Sequence, residues 1–167
     1  MLDSHILDLQ GVNNCLVENC IFEGRYPVND SRKHAECIQY DISSETGAPA
    51  FSGADGTKSN GIIIRNCTFK PNDNDAESKS LNAFGTHSSW NCYHENIIFE
   101  NNTVIDCENV MIRIPNVKDI TIQDNHFINR KGNKIGAIEL YTPSTIHDIG
   151  TANNTSPSII VGSRTYP

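Results

Sequence analysis

Asp41, His87, Arg113 and Tyr141 lie far apart in a chain of 167 residues, yet each falls in a short strand-like segment, Asp41, His87 and Tyr141 at one matching offset and Arg113 two residues earlier. Together they are a workable set for sugar chemistry. Hydrolysis with inversion needs two carboxyl groups about 6.5–9.5 Å apart, one as acid and one as base. Asp41 can serve as the acid, with His87 tuning its proton. Arg113 can hold a substrate carboxylate through a charge-assisted bond. The second carboxylate is open between Glu36 and Asp55. Cleavage of a uronate polymer by elimination is the other chemistry. His87 or Tyr141 would then take the C5 proton, and Arg113 would neutralise the neighbouring carboxylate. The ordinary readings are an exposed Arg113–Glu139 ion pair, worth little, and an Asp41–His87 surface hydrogen bond.

Four strand-like segments must bring these residues together: 36–42 (ECIQYDI), 82–88 (NAFGTHS), 110–115 (VMIRIP) and 136–142 (GAIELYT). Aligned on Ile38, Phe84, Ile112 and Ile138, alternation creates two outward columns. One is Gln39, Gly85, Arg113, Glu139, and the other is Asp41, His87, Pro115, Tyr141. Gln39 and Glu139 therefore join the face as substrate-binding candidates. Stacked strands lie about 4.8 Å apart, which sets Asp41 beside His87 and Arg113 beside Glu139. Asp41 and Glu139 are three steps apart, roughly 14 Å, too far for an acid/base pair. Glu36 is taken as the nearer partner.

A second repeat explains why those strands stack. Segments 15–22, 62–69, 97–104, 120–127 and 149–156 share the pattern apolar-x-apolar-polar-Asn-(Asn or Cys)-x-apolar. In the last, Gly150, Thr151 and Ser156 replace apolar residues, so the stack ends or is capped there. From Asn19 through Asn66, Asn101, Asp124 and Asn153 the steps are 47, 35, 23 and 29 residues. A minimal step in the low twenties with variable insertions is the period of one β-helix coil. Phe22, Phe69, Val104 and Phe127 would stack inside. Cys20, Cys67, Asn102, Asn125 and Asn154 would occupy the bend, where Asn tolerates left-handed angles and can hydrogen-bond along the stack. The Asn-x-Ser/Thr triplets at Asn66, Asn101 and Asn153 fall in this corner and are read as structural rather than as glycosylation acceptors. The β-branched, Asn-rich runs argue against helical hairpins. The expected fold is all-β: a right-handed parallel β-helix of about four to five coils, one domain over residues 1–167, with long insertions (24–33, 43–59, 70–81) beside one face.

Such loops commonly wall a binding groove. Phe51 and Asp55 lie on the Gly- and Pro-containing loop 45–56, where Phe51 would contact a sugar or simply pack the loop down. Acidic loops such as 72–75 could bring calcium, and the ordinary reading of that run is a solvated loop. No other cofactor is expected. None of the six cysteines forms a C-x-x-C pair, so zinc is not expected, and mostly buried free thiols are.

Net charge is −7, from 13 Lys+Arg against 20 Asp+Glu, with no basic cluster. Nucleic acid and anionic membranes are therefore poor partners. No apolar run approaches a membrane span, and residues 1–5 do not read as a signal peptide. A hydrophobic content of 37% suits a thin core with much lateral surface. Four to five coils is short for a complete enzyme of this architecture, so the chain is expected to be a piece of a longer protein.

The stretch FGTHSS at 84–89, then NIIFENN at 96–102 and MIRI at 111–114, resembles the polygalacturonase layout. That family has a Gly-His-Gly strand, an Arg-Ile-Lys strand one coil later, and a following Tyr. His87, Arg113 and Tyr141 stand in those places. The wider resemblance is to parallel β-helices of the pectin-lyase-like superfamily, including polysaccharide-degrading enzymes and phage tail-spike or tail-appendage depolymerases. The phrase HAECIQYD at 34–41 followed by GTHSS at 85–89 is similar to β-helix proteins of Gram-positive bacteria and their phages. The resemblance implies a polysaccharide partner, an extracellular, cell-surface or virion-tail location, and, for a tail protein, a homotrimer. Against it, the family's Asp-Asp pair is missing, Pro115 replaces its Lys, and Gly-Thr-His replaces Gly-His-Gly. Those departures leave two readings: a glycosidase or lyase, and a module that binds glycan without cutting it.

Overall fold

A computed structural model of the chain describes residues 6–24, 36–41, 59–71, 82–85, 94–106, 112–115, 117–128 and 138–141. Among the described residues, thirteen short strands follow one another in turns of three. The first turn is β1 (Leu7–Gln10), β2 (Asn13–Glu18) and β3 (Ile21–Gly24). The second is β4 (Glu36–Asp41), β5 (Asn60–Arg65) and β6 (Thr68–Pro71). The third is β7 (Asn82–Gly85), β8 (His94–Glu100) and β9 (Thr103–Ile105). The fourth is β10 (Ile112–Pro115), β11 (Val117–Gln123) and β12 (His126–Ile128), and β13 (Ile138–Tyr141) opens a fifth. Each strand pairs in parallel with its counterpart in the next turn. Three sheets result: A (β1-β4-β7-β10-β13), B (β2-β5-β8-β11) and C (β3-β6-β9-β12). This is the parallel β-helix that the repeat implies.

The registers are those of the aligned repeats. Ile38, Phe84, Ile112 and Ile138 are successive partners in sheet A. Ile62, Ile97 and Ile120 are partners in sheet B, and Phe22, Phe69, Val104 and Phe127 in sheet C. These columns form the core: Ile62, Ile64, Phe69, Phe84, Ile97, Phe99, Val104, Ile112, Ile120 and Ile122 are fully buried. Phe99 ties the sheets together. Its ring lies 5.9 Å from Phe84 of sheet A and 5.7 Å from Phe69 of sheet C. Phe22 stacks on Phe69 at 4.9 Å.

Sheet B always passes to sheet C through a two-residue corner, and here the structure corrects the roles assigned from sequence. The left-handed residues are Asn19, Asn66, Asn101 and Asp124, with φ between 53° and 56°. The column after them holds the ladder. Asn102 Oδ1 accepts from Cys67 N–H at 2.9 Å, and its Nδ2 donates to Ile64 carbonyl at 3.0 Å. Asn125 repeats both bonds, to Asn102 N–H and Phe99 carbonyl, at 2.9 Å each. Cys67 takes the same place one turn earlier, with its thiol directed to Val17 carbonyl at 3.7 Å and Arg65 carbonyl at 3.2 Å.

The start of sheet B carries a second left-handed column: Asn14, Gly61, Asn96 and Asp119. His94 and Ile97 are both buried with two residues between them, so the column is a bulge that resets the alternation. Glycine at 61 fits because a Cβ there would meet Asn14 Oδ1 at 3.0 Å. A small ladder leads in. Val12 N–H donates to Ser59 Oγ at 3.3 Å, and Ser59 N–H donates to His94 Nδ1 at 3.1 Å. No helix among the described residues is long and apolar enough to cross a membrane.

Candidate functional site: the outer face of sheet A

Sheet A presents the polar columns. Leu9, Ile38, Phe84 and Ile112 are buried, and the positions next to them form register lines of their own. Their register is Asp8, Gln39, Gly85, Arg113, Glu139 across the sheet. A second column contains Gln10 beside Asp41, and Pro115 beside Tyr141. Arg113 and Glu139 are thus backbone neighbours on adjacent turns, as the alignment requires. Asp41 and Glu139 are three strands apart. For Glu36, Gln39, Asp41, Arg113, Glu139 and Tyr141 the structure describes the backbone register. His87, Phe51 and Asp55 lie outside the described residues, as do the acidic run 72–75 and the last corner segment, 149–156.

Glu36 and Asp41 occupy opposite ends of β4. Five strand rises separate their backbone positions, about 17 Å. That is too far for an acid/base pair, as is the separation of Asp41 from Glu139. The residues the sequence reading passed over are Asp8 and Gln10. Leu7-Asp8-Leu9-Gln10 alternates as Ile38-Gln39-Tyr40-Asp41 does, and that was the available signal. Asp8 lies one strand over and two residues along from Asp41, about 8 Å between backbone positions.

The face is bounded. Cys37 and Ala83, which precede the inward Ile38 and Phe84, are 2% and 0% exposed, so at that end sheet A is covered on both sides. Gly85, within the polar column, is also buried. Longer connections enter and leave at sheet A: 25–35, 72–81, 106–111 and 129–137 lead into it, and 42–59 and 86–93 lead out. By contrast, every sheet B to sheet C corner is two residues.

The outer faces of sheets B and C carry cross-turn pairs. Arg65 Nε donates to Glu18 at 2.9 Å, Gln123 donates to Glu100 at 2.8 Å, and Lys70 lies 3.6 Å from Glu23. Asn96 Nδ2 donates to Asn60 Oδ1 at 2.9 Å. Glu18–Arg65 has the same neighbouring-turn relation as Arg113–Glu139 and is an ion pair of ordinary surface exposure. Among the described residues, no three His, Cys, Asp or Glu side chains gather as a metal site. Among the described residues, Cys15, Cys20, Cys37 and Cys67 are free cysteines. Cys37 and Cys67 are buried, as expected of core thiols, while Cys20 is exposed. Burial pushes the Cys15 and Cys67 thiols above the usual range.

No protein-family model matches the chain, and no curated protein matches it. Among solved structures it is similar to the crystal structure of PfbA, a surface adhesin of Streptococcus pneumoniae. Identity is 27% and the TM-score is 0.67, over 83% of this chain. The match spans 33% of the adhesin chain, so this chain corresponds to about a third of its length.

Proposed function

We propose that the chain is a β-helical segment of a surface-displayed protein, and that the outer face of sheet A holds a polysaccharide. The observation that carries this reading is the distribution of insertions. All the long connections meet sheet A, on both of its flanks, while the opposite corner is held to two residues. A polar strip between such connections is the usual form of a groove for an extended ligand. Arg113 supplies the cation for a sugar carboxylate, and Gln39, Asp41, Glu139 and Tyr141 supply neutral and acidic partners for hydroxyls. Similarity to a surface adhesin supports display outside the cell and binding rather than turnover. The missing Asp-Asp pair points the same way.

One observation favours a second reading, cleavage. The backbone positions of Asp8 and Asp41 are about 8 Å apart, a spacing that lets two carboxyl groups flank a water. Asp41 would protonate the leaving oxygen, with His87 tuning its proton, and Asp8 would activate the water.

One experiment divides the readings. The protein is incubated with polyuronates and Gram-positive wall polysaccharides, and binding, new reducing ends and the absorbance of unsaturated sugars are all followed. The expected result is retention by at least one polysaccharide with neither product signal. New reducing ends would replace the binding reading with hydrolysis, and unsaturated ends with elimination. No retention across the panel would overturn the proposal.

A further inference from the structure

In the corner ladder, Asn102 and Asn125 fill the inner position of the third and fourth turns, whereas the first and second turns carry Cys20 and Cys67. The two cysteines are neighbours. Ile21 pairs with Thr68, and Thr68 N–H donates to Cys20 carbonyl at 2.9 Å. Equivalent positions on adjacent parallel strands lie about 4.8 Å apart, inside the Cα separation that a disulfide spans. Both are free thiols, and each is directed to the carbonyl two residues before it, Cys20 to Glu18 at 3.2 Å and Cys67 to Arg65 at 3.2 Å. Cys20 is exposed and Cys67 is 2% exposed. Among the described residues, Cys20 therefore has the more accessible sulfur of the two.

We infer that Cys20 and Cys67 form a redox-responsive pair, in which Cys20 is the entry thiol and Cys67 the resolving thiol, and that oxidation staples the first turn of the β-helix to the second. The oxidant is a low-molecular-weight disulfide such as oxidised glutathione. Cys20 thiolate attacks one glutathione sulfur, forming a mixed disulfide and releasing one glutathione thiolate. Cys67 thiolate then attacks the Cys20 sulfur, the protein S–S bond forms, and the second glutathione thiolate leaves. The protein loses two electrons and two protons, and the reagent is reduced to two thiols. Burial holds Cys67 protonated, so the second step accelerates as pH rises toward its raised value. The bond closes a loop containing the connections 25–35 and 42–59, which restricts the unfolded chain and holds the first turn to the second.

The test uses the full chain. After treatment with oxidised glutathione, the protein is digested at acidic pH without reduction and the peptides are mapped by mass. The expected product is one linked pair of peptides carrying Cys20 and Cys67, with no glutathione retained, and a melting temperature raised by about 5 °C, reversed by reductant. Cys67→Asn restores the ladder residue of the later turns, so it keeps the fold. It should leave glutathione trapped on Cys20 and abolish the oxidative shift. A stable glutathione adduct on Cys20 in the unsubstituted protein, or a bond from Cys20 to any other cysteine, would overturn the assignment.

Discussion

At the residue scale, two adjacent positions at one corner do different work. Asn101 supplies a left-handed backbone at φ 53°, and Asn102 supplies two buried hydrogen bonds to the preceding turn. The sequence locates this corner but does not separate the roles where both residues are Asn or Asp, since either accepts a left-handed angle. The first two turns hold the distinguishing signal. Asn19-Cys20 and Asn66-Cys67 leave only the first residue suited to φ above zero. The roles make separable predictions. Asn102→Ala strands a buried N–H and a buried carbonyl and should cost about 2–4 kcal/mol. Asn101→Gly keeps the conformation and should cost a few tenths at most. Urea unfolding of the two variants checks this; equal losses would contradict the division. His94 belongs to the same class of detail. Its Nδ1 accepts from Ser59 N–H, a bond that only an unprotonated Nδ1 can make.

At the scale of elements, the inward columns were legible because period-two alternation and the Asn corner fix the register in every turn. Three things were not. The strand β1 precedes the first corner segment, so the repeat alone did not reach it, and Asp8 and Gln10 went with it. The bulge at Asn14, Gly61, Asn96 and Asp119 breaks alternation, and a residue inserted into a strand leaves no periodic mark. Glu36 was placed by sequence proximity to Asp41, whereas an extended strand carries neighbours in sequence far apart in space. The junction of the three sheets is the element most open to test. Phe99 is fully buried between Phe69 and Phe84, and Phe99→Ala should destabilise by about 3–5 kcal/mol. Ile98→Ala, at the half-buried neighbouring position on the outer side of β8, should cost well under half of that. Similar midpoints for the two in denaturant would mean that sheets A and C do not share this core.

At the scale of the molecule, the solenoid turns distant sequence into one surface. Residues from β1, β4, β10 and β13 share the outer face of sheet A only because the turns repeat in register. The same geometry leaves sheets B and C with paired charges at Arg65 and Lys70, and it sets Arg113 on the face flanked by long connections. A net charge of −7 repels an acidic polysaccharide overall, so capture of one depends on local cations and weakens with added salt. The most direct measurement is the affinity of the full chain for its retained polysaccharide, compared with Arg113→Ala and, on sheet B, Arg65→Ala. Arg113→Ala should weaken binding at least about tenfold, roughly 1.4 kcal/mol, while Arg65→Ala leaves it unchanged. Unchanged affinity in Arg113→Ala, or an equal loss in Arg65→Ala, would contradict the assignment of the site to sheet A.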